Sequence, residues 1–93
     1  MPEANNLTPE TAVKGEAFIL ALIEEGHSDK SMKAAFNRIA LRTWLRLNKG
    51  VVSDAAKKMG VAREAIFLRI KRLRMSDELD AIRQAESREG KSA

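Results

Sequence analysis

Apolar residues recur along this 93-residue chain at helical spacing, strand-type alternation is absent, and proline occurs only at Pro2 and Pro9. That pattern predicts an all-α fold. Residues 1 to 7 carry no periodic signal and read as a disordered arm. Thr8, Pro9 and Glu10 then form a helix start: a hydroxyl cap, a proline where its missing N–H costs nothing, and an acid near the positive end of the helix dipole. The first helix is expected to run to about Glu25 and stop at Gly26. Its segment Ala17-Phe18-Ile19-Leu20-Ala21-Leu22-Ile23 is apolar on every side, a pattern that needs cover all round. One short chain supplies little such cover.

A second helix begins at Ser28 and Asp29, reaches about Asn48 and ends at Gly50. Met32, Phe36, Ile39, Ala40, Thr43 and Leu47 share one broad face, while Leu41 and Leu45 lie opposite with Trp44 between. Such a helix can touch the first helix on one side and the downstream segment on the other. Residues 8 to 49 therefore read as a helical hairpin that dimerises through Val13, Ala17, Phe18, Leu20, Ala21, Ile23, Phe36 and Ile39. An internal core helix is the alternative. Arg38, Arg42 and Arg46, four residues apart, form a ridge that reads first as a solubilising stripe.

Ser53 is the expected cap of a short helix from Asp54 to Met59, which Gly60 and Val61 turn into a third run from Arg63 to about Arg74. Two helices crossing after so tight a turn need a small residue where they touch, which Ala56 supplies. They need tolerance of positive φ at the turn, which Gly60 supplies, and apolar plugs underneath, for which Met59, Val61, Ile66, Ile70 and Leu73 are spaced. Residues 50 to 74 thus read as a helix-turn-helix. The tail, residues 75 to 93, reads as an acidic extension. Ser76, Asp77 and Glu78 open a helix through Arg88, with a weak stripe of Leu79, Ile82 and Ala85 that either docks or stays loose.

Charge sharpens this division. Residues 1 to 26 carry five Glu against one Lys, residues 30 to 74 carry thirteen Lys or Arg against two acids, and the tail carries five acids against three bases. The basic middle suits a polyanion, because each phosphate neutralised releases counterions. With no cysteine and one histidine, His27, no disulfide framework, metal site or cofactor is implied. No carboxylate pair is tied to a nucleophile or base, so an enzyme is not expected. The longest apolar run falls short of a membrane span and the N-terminus lacks signal-peptide character, which reads as a cytoplasmic protein.

The third run has the composition of a recognition helix, and a major groove admits one such helix. Arg63, Arg69 and Arg72 are the first candidates for base or phosphate contacts, joined by Lys71, with Lys57 and Lys58 suited to backbone phosphates. The stretch from Asn48 to Leu73, with Gly50, Ser53, Ala55-Ala56, Gly60-Val61, Ile66 and Ile70, resembles the Fis-type helix-turn-helix found in the factor for inversion stimulation and at the C-terminus of bacterial enhancer-binding activators. The resemblance covers about a quarter of the chain. It implies a homodimer with a four-helix core built from the two preceding helices of each subunit, and two recognition helices presented to successive major-groove segments of double-stranded DNA. The implied DNA-contacting positions are Ser53, Lys57, Lys58, Arg63, Ala65, Leu68, Arg69, Lys71 and Arg72. The chain departs from the family in having Ala62 where a Ser or Asn cap is usual, Ala65 where a small polar residue often stands, and Phe67 and Leu68 where bases are common. The reading is a Fis-like transcriptional regulator or nucleoid-associated architectural factor of sequence-preferring type. The alternative is a protein-interaction module, such as an anti-activator, gripping a regulatory partner through Phe67, Leu68 and the first helix.

Overall fold

In the computed structural model, residues 7–92 are described, with side chains described through Ser87. Apart from Leu7, the expected N-terminal arm lies outside them. Within that span the chain is all-α, with five helices: α1 (Pro9–Glu24), α2 (Asp29–Leu47), α3 (Val52–Met59), α4 (Arg63–Leu73) and α5 (Ser76–Ser92). No described helix is long and apolar enough to cross a membrane, and no described cluster of His, Asp and Glu could hold a metal ion. The chain divides into two compact units, Met1–Phe36 and Asn37–Ala93, so that α2 begins in the first and continues in the second.

The first unit holds α1 and the opening turns of α2. Thr8 caps α1 as its sequence requires, its hydroxyl accepting from the Thr11 N–H at 3.2 Å, with Pro9 at the head of the helix. Gly26 takes a left-handed conformation, and the His27 N–H donates back to the Leu22 carbonyl. Of the large apolar side chains of α1, Leu22 alone is buried. Val13, Leu20 and Ile23 are more than half exposed, as is Phe36 on α2.

The second unit contains a continuous core. Leu41 and Leu45 from α2 meet Val52, Ala55 and Ala56 from α3, Ile66 and Ile70 from α4, then Met75 and Leu79 from the start of α5. Met59, Val61, Leu73 and Ile82 pack against this cluster from its margin. The two-sided reading of α2 thus resolves unequally: the smaller apolar set, Leu41 and Leu45, makes the core, whereas Ile39 and Leu47 remain exposed. The tail is docked, because Met75, Leu79 and Ile82 repeat at the helical spacing that lays one stripe of α5 on the core.

Four helices end in the same way. At Gly26, Lys49, Gly60 and Arg74 the backbone turns left-handed, and the next N–H reaches back five residues, from Gly50 to Leu45, Val61 to Ala56 and Met75 to Ile70 as from His27 to Leu22. This closure satisfies carbonyls that helix termini otherwise leave open. At Gly60, φ is +72°, a region where a Cβ clashes with the following carbonyl and glycine is at ease. Gly50 has a second constraint, since a Cβ there would sit 2.7 Å from Cγ of Arg83.

The helix starts bring a correction. Ser53 does not cap α3: the helix begins at Val52, with Val51 in the cap position and no side-chain cap bond. Val52 is 3% exposed, so drawing it into the core extends the helix past the hydroxyl that would otherwise have ended it. Helix α4 likewise starts from Ala62 (φ −72°, ψ 147°) without a side-chain acceptor for its first N–H groups. Because that backbone is already in the extended conformation a cap requires, Ala62→Ser is expected to stabilise the protein by about 0.5–2 kcal/mol. A rise in the urea midpoint at unchanged slope would report it; no rise would mean that those N–H groups have another partner.

Candidate nucleic-acid interface

α3 and α4 pack directly on each other around the Gly60 corner, with Ala55 and Ala56 buried where bulk would force the helices apart. Along α4 the buried Ile66 and Ile70 with half-buried Leu73 define the inward side. At 100° per residue, the opposite side is then taken by Glu64, Leu68 and Lys71, with Arg72 and Ala65 on one flank and Phe67 on the other, while Arg69 and Arg63 border the buried stripe on either side. Leu68 is 62% exposed. Arg63 lies over the Phe67 ring, 5.7 Å from its centroid, so the aromatic holds the guanidinium along that flank of α4.

The expected DNA-facing residues occupy these two helices. Ser53, Lys57 and Lys58 are exposed on α3; Arg63, Leu68, Arg69, Lys71 and Arg72 are exposed on α4, and Ala65 is half-buried. Of the expected dimer residues, Val13, Ala17, Leu20, Ala21, Ile23, Phe36 and Ile39 are exposed and Phe18 is half-buried. Leu7, Phe18, Ile19, Leu20, Ile23 and Phe36 border an apolar depression in the first unit of about 660 Å³.

The cations fall into two classes. Lys14 pairs with Glu10, Lys33 with Asp29, Arg42 with Glu78 and Lys49 with Glu86. Among the described residues, Lys57, Lys58, Arg63, Arg69, Lys71 and Arg72 enter no ion pair. The second unit carries fourteen Lys or Arg against seven acids, while the first carries three against six. Lys30, Arg46 and Arg74 enter no ion pair either, and Arg38 and Arg83 donate to carbonyls instead, so α3 and α4 hold the largest group of unpaired cations among the described residues but not all of them.

No protein-family model, curated protein or solved structure matches the chain. What this surface offers is its own chemistry: solvated cations on two packed helices, suited to pairing with anions.

The arginine ridge of α2 is not a solubilising stripe. Arg38 donates twice to the Leu73 carbonyl, at 3.1 and 3.0 Å, and so closes the C-terminus of α4. Arg42 donates to Glu78 of α5 at 2.6 Å with both side chains about two-thirds buried. Only Arg46 of the three is exposed. From α5, Arg83 Nε donates to the Gly50 carbonyl at 3.0 Å. Three arginines that composition alone assigns to solvent or phosphate therefore hold helix ends and α5. Four-residue spacing placed the ridge on one side, but only knowledge of what lies beneath distinguishes a clamp from a contact.

Proposed function

We propose that this chain is a homodimeric, sequence-preferring duplex-DNA-binding protein, a transcriptional regulator or architectural factor, whose helix-turn-helix spans residues 50 to 74 and whose α4 enters the major groove. The observation that carries the reading is the set of six exposed, unpaired cations on α3 and α4, of which Lys71 and Arg72 lie on the side of α4 away from the core while Arg63 and Arg69 border the buried stripe. Four cations elsewhere pair with acids, whereas Asp54 on α3 and Glu64 on α4 pair with none of the six. Arg63, Arg69, Lys71 and Arg72 serve bases and phosphates from α4, Lys57 and Lys58 serve phosphates from α3, and Leu68 offers apolar contact to a thymine methyl. The uncapped start of α4 leaves N–H groups for a further phosphate oxygen.

A mobility-shift titration over ionic strength tests this. With six to ten phosphate contacts, affinity for a short duplex should fall about 10³–10⁵-fold between 50 and 200 mM salt. Arg63→Ala combined with Arg69→Ala should abolish the shift while subunit number stays the same. Binding that ignores salt, or none at low salt, overturns the reading. In the latter case the exposure of Phe67 (42%) and Leu68 on the same helix favours the second reading, a protein-interaction module.

A further inference from the structure

A cavity of about 310 Å³ opens in the second unit, bordered by Asn37, Leu41 and Trp44 of α2, Met59 of α3, and Arg69 and Arg72 of α4. Its lining combines two arginines and an asparagine with a tryptophan, two leucines, an alanine and a methionine, and it contains no acid. A second cleft of the unit differs in that respect. There Arg42 and Lys49 pair with Glu78 and Glu86, and of its three cations Arg46 alone is left without a partner. Arg69 and Arg72 have no carboxylate partner among the described residues.

We infer that this cavity is a binding site for a small organic anion with a planar apolar body, of the aryl carboxylate class. Its volume stands at the lower end of the roughly 300–1,000 Å³ range of ligand pockets, which admits one ring bearing a short acid side chain. Arginine forks match a carboxylate in bidentate fashion, and asparagine can complete the set from α2. Trp44, Leu41 and Met59 give the ring an apolar, polarisable wall. An inorganic anion would use the first group of residues and leave the second idle; a neutral aromatic would do the reverse. Only a molecule with both parts uses the whole lining.

The site has a regulatory consequence that rests on the DNA-binding reading. Arg69 and Arg72 are also assigned to DNA, so a carboxylate that engages them withdraws two cations from the nucleic-acid surface. Ligand and duplex then compete, and the acid acts as an inducer of release.

Trp44 is the one tryptophan of the chain and borders this cavity, so the indole signal comes from the cavity wall. The full chain, free of DNA, is titrated with benzoate and with 3-phenylpropionate, excited at the red edge of the indole band, with benzamide and inorganic phosphate as controls. Saturable change with either acid and neither control is the expected result. Arg72→Ala and Arg69→Ala should each weaken it about tenfold or more, the worth of one charge-assisted contact. Both arginines are exposed, so matching thermal melts will show that the variants fold as the parent does. Absence of saturation by both acids up to about 10 mM, where a millimolar dissociation constant registers, overturns the proposal. So does equal binding of benzamide or phosphate, or full binding by the arginine variants. Since no DNA is present, this result is independent of the mobility-shift assay. Displacement of a bound duplex by 3-phenylpropionate then tests the competition separately.

Discussion

Ile66→Ala is expected to destabilise the second unit by about 2–5 kcal/mol, the cost of truncating a fully buried aliphatic side chain and leaving a cavity. Ile66 is completely inaccessible to solvent, at the point where α4 meets the α2, α3 and α5 contributions to the core. A unit of this size has roughly 3–9 kcal/mol in total, so one truncation removes a large fraction and in the worst case unfolds it. Urea denaturation followed by circular dichroism measures the loss, as a fall of the midpoint by about 2 M or more for a domain with a slope near 1 kcal/mol/M. The paired control is Leu68→Ala, two residues along the same helix and largely exposed, which should move stability by no more than about 0.5 kcal/mol. Equal effects at the two positions would mean that α4 is rotated from the orientation described, and with it the whole assignment of its outer face. A large effect at Ile66 alone fixes which side of the helix is free for a partner.

The contrast between those two residues was legible in the sequence, because Ile66, Ile70 and Leu73 repeat at helical spacing and leave Leu68 on the other side. The ends of α1 and α3 were legible for a related reason: Gly26 and Gly60 are residues that a left-handed closure favours. The same closure at Lys49 and Arg74 was not, since neither residue favours positive φ. There the conformation is imposed by what lies on either side. Leu45 and Val52 flank the first corner, Ile70 and Met75 the second, and all four are buried. Ser53 misled in a complementary way: a good capping residue is overridden when its neighbour Val52 is needed inside. The arginine ridge shows the same limit for polar residues. A long cationic side chain reads alike whether it meets water, phosphate or a carbonyl, and Arg38 meets the Leu73 carbonyl only because α4 ends beside it. Residues of the candidate interface are readable from composition and spacing; the residues that hold it in shape depend on contacts made from far along the chain.

Leu20→Glu combined with Ile23→Glu should convert a dimer into a monomer and lower affinity for duplex DNA about 10²–10⁴-fold, the loss expected when two linked sites become one. The proposal that the first unit dimerises starts from α1, which buries Leu22 yet exposes Val13, Leu20 and Ile23, with Phe36 of α2 exposed as well. A patch of that kind, beside an apolar depression of about 660 Å³, is larger than the scattered exposed leucines of an ordinary monomer surface. Covering each such side chain is worth about 1.5–3 kcal/mol at most, so several together can hold two 10.3 kDa chains in a stable pair. Neither substitution reaches the second-unit core, whose members all lie beyond Asn37. The double variant should therefore retain its helical signal and cooperative melt while its sedimentation mass halves. Its mobility shift should weaken and lose steepness with protein concentration, and the salt slope should fall to about half, since one subunit's phosphate contacts remain. That combination separates loss of the second subunit from loss of the DNA surface, which Arg63→Ala with Arg69→Ala removes while leaving the mass unchanged. A parent chain that sediments as a monomer ends the dimer proposal outright. A variant that stays dimeric moves the interface away from α1, toward the exposed stripe of Ile39 and Leu47 on α2.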